Sequence, residues 1–237
     1  MRKKTVGKRA VILFLAASVL LFIYLSTDPR QAARASAILI PDAEEEKNAE
    51  EKEPRKVGLS FDDGPHPTYT EQLLDGLKER GVKATFFVTG EHAALHPDII
   101  RRMSEEGHLI GNHTYSHIQL NSSNREAFRK ELIRTNEVIS QITGKEVLYV
   151  RPPYGSWDKT LEEELNMFPV FWTVDPLDWC SSNASCIVQS VVREVEENDI
   201  ILMHDYYDTS VTAALQIVDE LLAEGYTFVT VEEILFD

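Results

Sequence analysis

Seven short apolar segments, rich in β-branched and aromatic residues, alternate with longer amphipathic segments after residue 54. They predict strands at 57–61, 83–88, 109–111, 147–150, 170–174, 200–203 and 226–230. Strands separated by helices favour a parallel sheet, because each helical crossover returns the chain to the same end of the sheet. The predicted fold class is therefore α/β, either a parallel barrel or a doubly wound sheet.

Helix boundaries are marked by capping signals. Thr68 and Glu71 have capping-box spacing and predict a helix over residues 69–80. Asn124 is the predicted N-cap of a long helix, and Ser210 is expected to open the last long helix. These helices supply the crossovers that a parallel sheet requires.

The amino-terminal residues 1–27 differ from the rest of the chain. Basic residues precede an apolar run from Ala10 to Leu25, which favours an uncleaved transmembrane helix over a cleaved secretory signal. The basic flank predicts a cytoplasmic amino end, so residues 55–237 are expected outside the cell, anchored in the membrane or secreted if cleavage occurs. Residues 28–54 are acidic and lack apolar periodicity, which predicts a flexible linker.

Charge and cysteine content limit the partners. A formal net charge of -15 argues against nucleic acid, whose phosphates would be repelled. Cys180 and Cys186 lie close together in sequence. In an oxidising exterior they would form a small disulfide loop, and in a reducing setting they would remain free thiols. Both alternatives remain open at the level of sequence.

Polar residues directly follow five of the predicted strands. They are Asp62 with Asp63, then His113, Arg151, Asp175 and His204. In α/β barrels the carboxyl ends of the strands converge on one face, where active sites form. These residues are therefore expected to meet although they are distant in sequence.

One aspartate and two histidines four residues apart, His113 and His117, make the ligand set of an open divalent metal centre. A second aspartate and His204 are then free to move protons. Each motif alone has a plainer explanation, since Asp-Asp-Gly-Pro is an ordinary turn and His-x-x-x-His can arise on any surface. Their joint occurrence at strand ends favours a hydrolytic metal site.

Five motifs in this order resemble those of polysaccharide deacetylases of the NodB-homology type, carbohydrate esterase family four. They are Ser60–Pro65, His113–His117, Arg151–Gly155, Asp175–Trp179 and Ile201–Asp205. The resemblance covers residues 55–237 and implies a distorted parallel (β/α) barrel of about seven strands. It also implies one divalent metal ion, zinc or else cobalt or nickel, and removal of acetyl groups from N-acetylated sugars.

The resemblance assigns roles to individual residues. Asp63, His113 and His117 would bind the metal ion, with Asp62 as general base and Arg151 as its partner. His204 would protonate the departing nitrogen.

Further residues would support these groups. Asp175 is expected to orient His204, with Asp178 as the second choice. The backbone N–H of Tyr154 would stabilise the oxyanion, and Trp179 with Leu202 would line the pocket for the acetyl methyl group. For Trp179 and Leu202, ordinary core packing is the alternative.

Four other histidines match no motif and are expected at the solvated surface: His66, His92, His96 and His108. The predicted function is a membrane-tethered, metal-dependent N-deacetylase acting on a cell-wall glycan, expected to be peptidoglycan. Chitin-like oligosaccharides, acetyl xylan or a non-sugar C–N bond are alternative substrates for the same chemistry. A catalytically silent wall-binding module is the alternative from another class.

Overall fold

The computed structural model describes residues 54–236. The predicted transmembrane helix and nearly all of the predicted linker lie outside this range. Within it, every helix is too short or too polar to cross a bilayer.

A parallel sheet with helical crossovers forms this part of the chain. The strands are β1 Arg55–Asp62, β2 Thr85–Val88, β3 Leu109–Asn112, β4 Tyr149–Val150, β5 Phe168–Pro169, β6 Ile200–His204 and β7 Tyr226–Val229. The helices are α1 Tyr69–Glu79, α2 Gly90–Leu95, α3 Pro97–Glu105, α4 Arg125–Thr143, α5 Thr160–Leu165, α6 Ala184–Glu194, α7 Asp208–Ala223 and α8 Val231–Phe236.

The strand order is β5-β4-β3-β2-β1-β6, and all pairings are parallel. The strand β1 is long enough to pair with three neighbours. Its first half, Arg55–Gly58, pairs with β7, and its second half, Gly58–Asp62, pairs with β6. The central strand therefore ends beside β6, with Asp62 in register with His204.

The predicted fifth strand differs from the observed one. The strand β5 is only Phe168–Pro169, and residues 170–174 instead cross from β4 to β6. The N–H of Val170 donates to the carbonyl of Val150 over 2.8 Å, and Val174 forms an isolated parallel bridge with Ile201. The segment changes partners within five residues, so no ladder forms. It draws the two ends of the sheet together into a curled half-barrel.

The outer face of the sheet is covered by helices. Leu59 and Phe61 of β1 are at most 1% exposed and belong to one apolar cluster with Leu73 of α1 and Ile217 of α7. Removing a fully buried leucine side chain from such a cluster costs about 2–5 kcal/mol. This packing holds β1, and hence the residues at its carboxyl end, in place.

Three predicted helix caps are wrong. The Thr68 side chain makes no capping hydrogen bond; instead Nδ1 of His66 accepts the N–H groups of Thr68 and Tyr69. Asn124 precedes α4 without capping it through its side chain. Ser210 lies inside α7, which begins at Asp208.

Candidate metal centre and active site

Three donor side chains converge at the carboxyl ends of β1 and β3. The ligand atoms of Asp63, His113 and His117 lie within 4.8 Å of one another. Nε2 of His117 is 3.3 Å and Nε2 of His113 is 3.5 Å from Oδ1 of Asp63. Atoms bound tetrahedrally to one zinc ion at about 2.1 Å are themselves about 3.4 Å apart. The two distances from Asp63 therefore match those of atoms that bind one ion.

The chemical state of these groups also fits a metal ion. Oδ1 of Asp63 is buried and has no hydrogen-bond partner, which is costly unless a cation occupies the space it faces. Nδ1 of His113 donates to the carbonyl oxygen of Arg151 over 2.6 Å, so its Nε2 keeps a lone pair. Burial lowers the pKa of His113 and keeps the ring neutral, which ligation requires.

A buried ion pair lies beside the three donors. Nη1 of Arg151 donates to Oδ1 of Asp62 over 2.9 Å and to the hydroxyl of Ser60 over 2.8 Å. Ser60 in turn donates to the carbonyl of Ile201 over 2.7 Å. The second oxygen of Asp62 lies 3.8 Å from Nε2 of His113. One carboxylate oxygen is thus held by Arg151, and the other faces the metal donors.

On the neighbouring strand, His204 is held by an aspartate. Its Nδ1 contacts Oδ1 of Asp178 at 2.8 Å, and its backbone N–H donates to Oδ2 of the same residue over 2.9 Å. Burial disfavours a charge on His204, but the hydrogen bond and charge of Asp178 outweigh it and raise the pKa of His204 to about 9. The ring is therefore a proton donor at neutral pH.

The prediction that Asp175 orients His204 is wrong. The aspartate that contacts the imidazole is Asp178, the second choice. Oδ1 of Asp175 accepts the N–H of Leu177 over 2.9 Å, which stabilises a turn in which Leu177 has a left-handed φ of 55°. This turn places the next residue, Asp178, against His204. Asp175 thus supports the loop rather than the imidazole.

The predicted pocket residues are near the site but differ in exposure. Tyr154 is 68% exposed and its ring meets that of His117 edge to face, with 5.1 Å between centroids. Trp179 is 54% exposed, whereas Leu202 is buried in β6. Tyr154 and Trp179 therefore offer open aromatic surface to a ligand.

The structure also places the two cysteines and His108, which the sequence left open or assigned to the surface. Cys180 and Cys186 are both exposed free thiols. The placement of His108 at the surface is wrong: it is buried, its Nδ1 accepts the N–H of Ala84, and burial lowers its pKa to about 4.

Two residues that support the site were not predicted as site residues from sequence, and one of them, His92, was expected at the solvated surface. His92 contacts the Asp63 backbone, and Asn112 accepts the N–H of Thr114 beside His113.

The sequence model of the family described as polysaccharide deacetylase matches residues 49–170. The chain belongs to the polysaccharide deacetylase family. The expected family is confirmed, and the expected parallel α/β barrel is observed as a curled half-barrel.

Two curated members of the polysaccharide deacetylase family illustrate the similarity. A peptidoglycan-N-acetylglucosamine deacetylase of Bacillus cereus is 39% identical over 185 residues, covering 74% of this chain and 66% of the relative. The peptidoglycan-N-acetylmuramic acid deacetylase PdaC of Bacillus subtilis is 39% identical over 178 residues, covering 75% of this chain. The match spans only 38% of the length of PdaC.

Solved structures agree with the family assignment. The PdaC structure has a TM-score of 0.75 and 38% identity, and the match covers 77% of this chain and 91% of that one. A family 4 acetyl xylan esterase from Clostridium thermocellum, in complex with a cobalt ion, has a TM-score of 0.71 and 34% identity. That match covers 76% of this chain and 90% of the esterase chain.

Proposed function

We propose that this polysaccharide deacetylase is a metal-dependent hydrolase that removes N-acetyl groups from amino sugars of peptidoglycan. The observation that carries the proposal is the coordinating geometry of Asp63, His113 and His117, with Asp62 and His204 on adjoining strand ends. The names of the Bacillus cereus and Bacillus subtilis relatives support peptidoglycan as the substrate.

The metal ion would be held by Asp63, His113 and His117. When bound, a divalent ion would polarise the acetyl carbonyl and increase the acidity of the attacking water. One carboxylate and two imidazoles suit zinc, and cobalt or nickel fits the same donors. The free Oδ1 of Asp63 is the atom that most requires such an ion.

The proton transfers are assigned to two side chains. Asp62 takes the proton of the attacking water on the oxygen that does not bind Arg151. The acetyl carbonyl carbon becomes tetrahedral. The backbone N–H of Tyr154 stabilises the negative charge that develops on the acetyl oxygen. His204 then gives its proton to the sugar nitrogen as the C–N bond breaks. The products are acetate and a free amine on the glycan.

The binding surface would be aromatic. The exposed ring of Trp179 and the buried side chain of Leu202 are assigned to the acetyl-methyl pocket, and the exposed ring of Tyr154 borders it. Apolar contacts would hold the methyl group, and a small number of polar contacts would orient the acetyl group between the metal donors and His204.

Acetyl ester cleavage is the second candidate, because the Clostridium thermocellum acetyl xylan esterase shares this fold. The state of His204 favours the amide. An amine leaves poorly unless it is protonated, and a histidine whose pKa is raised to about 9 supplies that proton at neutral pH.

We also propose that residues 1–27 anchor the protein in the cell membrane and that residues 28–54 tether the domain outside the cell. The apolar run and its basic flank support this placement. Membrane fractionation with protease protection of intact cells tests it. A protein found entirely in the cytoplasm would contradict the proposal.

The function is tested by side-by-side initial rates of acetate release from peptidoglycan, chitin-like oligosaccharides and acetyl xylan, with zinc added to the purified protein. The proposal predicts the highest kcat/KM on peptidoglycan and free amines in equal amount to acetate. A faster reaction on acetyl xylan would favour the esterase. Release from none of them, with any of zinc, cobalt and nickel, would favour a silent wall-binding module.

A further inference from the structure

The junction between β2 and α2, residues 88–92, contacts both loops that carry the metal donors. The N–H of Thr89 donates to the carbonyl of Gly64 over 3.1 Å, next to Asp63. The following N–H, of Gly90, donates to the carbonyl of Thr114 over 2.9 Å, next to His113. One short segment therefore links the backbones of the two donor loops.

His92 completes this link through its side chain. Its Nδ1 lies 2.7 Å from the carbonyl oxygen of Asp63 and must donate, because a carbonyl oxygen only accepts. The ring is half-buried and stacks on Tyr206, with 5.3 Å between centroids and 25° between planes. The stacked ring has little freedom to rotate, so the hydrogen bond is directed at Asp63.

The donor loops need such support because their backbones are unusual. Asp63 has a φ of 76°, Thr114 of 62° and His117 of 56°. This left-handed region is unfavourable for residues with a Cβ atom and persists only where neighbouring contacts hold it. At Asp63, the side-chain contact to the strained peptide is the one from His92.

We propose that His92 is a positioning residue of the metal centre. Its hydrogen bond holds the peptide of Asp63 so that Oδ1 points at His113 and His117 before a metal ion binds. Without it, the Asp63 turn relaxes, and binding must restore the geometry at the expense of affinity. This inference rests on the proposed metal-dependent function and extends it to a residue outside the ligand set.

Two substitutions separate positioning from packing. His92→Phe keeps a ring against Tyr206 and removes the donor. His92→Asn loses the ring but retains an N–H donor, because its Nδ2 is bonded to Cγ as Nδ1 is in histidine. The zinc dissociation constant is measured for each purified full-length variant by competition with a chromogenic chelator, alongside the melting temperature without metal.

The proposal predicts that His92→Phe weakens zinc binding about tenfold or more. Losses of this size are typical when a hydrogen bond that orients a metal ligand is removed from a metalloprotein. His92→Asn is expected to bind zinc close to wild type, even where its melting temperature falls. The matched control is His96→Phe at the end of the same helix. The side chain of His96 makes no capping hydrogen bond, so its substitution should leave zinc affinity unchanged.

Two results would overturn the proposal: wild-type zinc affinity in His92→Phe, or equal loss in His92→Phe and His92→Asn. The second result would assign the ring to packing alone. If His92→Phe does not fold, His92→Leu replaces it in the same comparison. A wild-type protein that binds no zinc would contradict the proposed function instead, so the two failures are distinguishable.

Discussion

Asp62 and Arg151 form an ion pair in which the two side chains are 5% and 0% exposed and the N–O distance is 2.9 Å. Burial lowers the pKa of the Arg151 guanidinium, and the charge of Asp62 acts against this. The same arginine supplies the carbonyl that orients His113. Arg151 therefore fixes both the proposed base and one metal donor.

Removing the cation should leave a buried, unpaired carboxylate. We expect Arg151→Met to lower the free energy of unfolding by about 3–5 kcal/mol. Urea unfolding monitored by circular dichroism measures this change. Arg193→Met is the control, because Arg193 pairs with Glu194 at the exposed surface, where such pairs contribute about 0–1 kcal/mol. Equal losses in the two variants would contradict the importance of the buried pair.

Asp62→Asn keeps the shape of the proposed base and removes its proton affinity. Turnover is expected to fall by about 10²–10⁴-fold, the range for loss of a general base. Zinc affinity should change little, since Asp62 is not one of the three donors. Steady-state rates and zinc titration of the same preparation test both statements. Retained turnover would exclude Asp62 as the base.

Asp178→Asn should shift the alkaline limb of the kcat/KM profile to lower pH. Burial alone lowers the pKa of His204, and the Asp178 carboxylate is the main group that raises it to about 9. Without that charge the imidazolium loses its proton earlier as pH rises. Asp175→Asn is the matched control, because Asp175 binds the Leu177 N–H instead. Identical profiles for the two variants would contradict the assignment of Asp178.

Asp205 should contribute less to the stability of the metal-free protein as pH rises. Burial raises the pKa of Asp205 to about 7, above the ordinary value of 3.8, so the folded form holds a proton that the unfolded chain has released. The contribution of Asp205 to the free energy of unfolding should therefore fall between about pH 4 and 7. The lowered pKa of His108, about 4 against 6.5, makes a contribution of opposite sign over about pH 4 to 6.5. The pKa of His204 is raised from 6.5 to about 9, so its contribution to the free energy of unfolding declines between about pH 6.5 and 9.

Asp205→Asn isolates the first of these declines, because an amide has the shape of a protonated carboxyl but does not titrate. Between about pH 4 and 7 the wild type should lose about 4 kcal/mol more than the variant. Urea unfolding across this range, with chelator present, gives the comparison. Parallel curves for the two proteins would show that Asp205 is ionised throughout.

The convergence of the metal donors could be anticipated from sequence because it depends on regular features. Parallel strands place their carboxyl ends together, and Asp63 and His113 each follow a strand. The choice between Asp175 and Asp178 depends on one left-handed residue, Leu177, whose φ no sequence pattern indicates. Local backbone geometry, rather than strand order, decides which aspartate reaches His204.

The remaining differences have similar causes. Residues 170–174 have strand composition, but they connect two strands instead of pairing along one. His108 looks polar in sequence, yet a single hydrogen bond from Ala84 and burial make it a neutral core residue. His92 is adjacent to no motif, and only the folded chain shows that it reaches Asp63.

Mass spectrometry of peptidoglycan fragments, after treatment with the zinc-loaded protein or with Asp63→Ala, tests whether the proposed metal donors support deacetylation. We expect the wild type to remove acetyl groups from amino sugars and leave free amines. Asp63→Ala, which lacks one of the three donors, should leave the fragments unchanged. Equal deacetylation by the two proteins, or by the wild type after complete metal removal, would contradict this expectation.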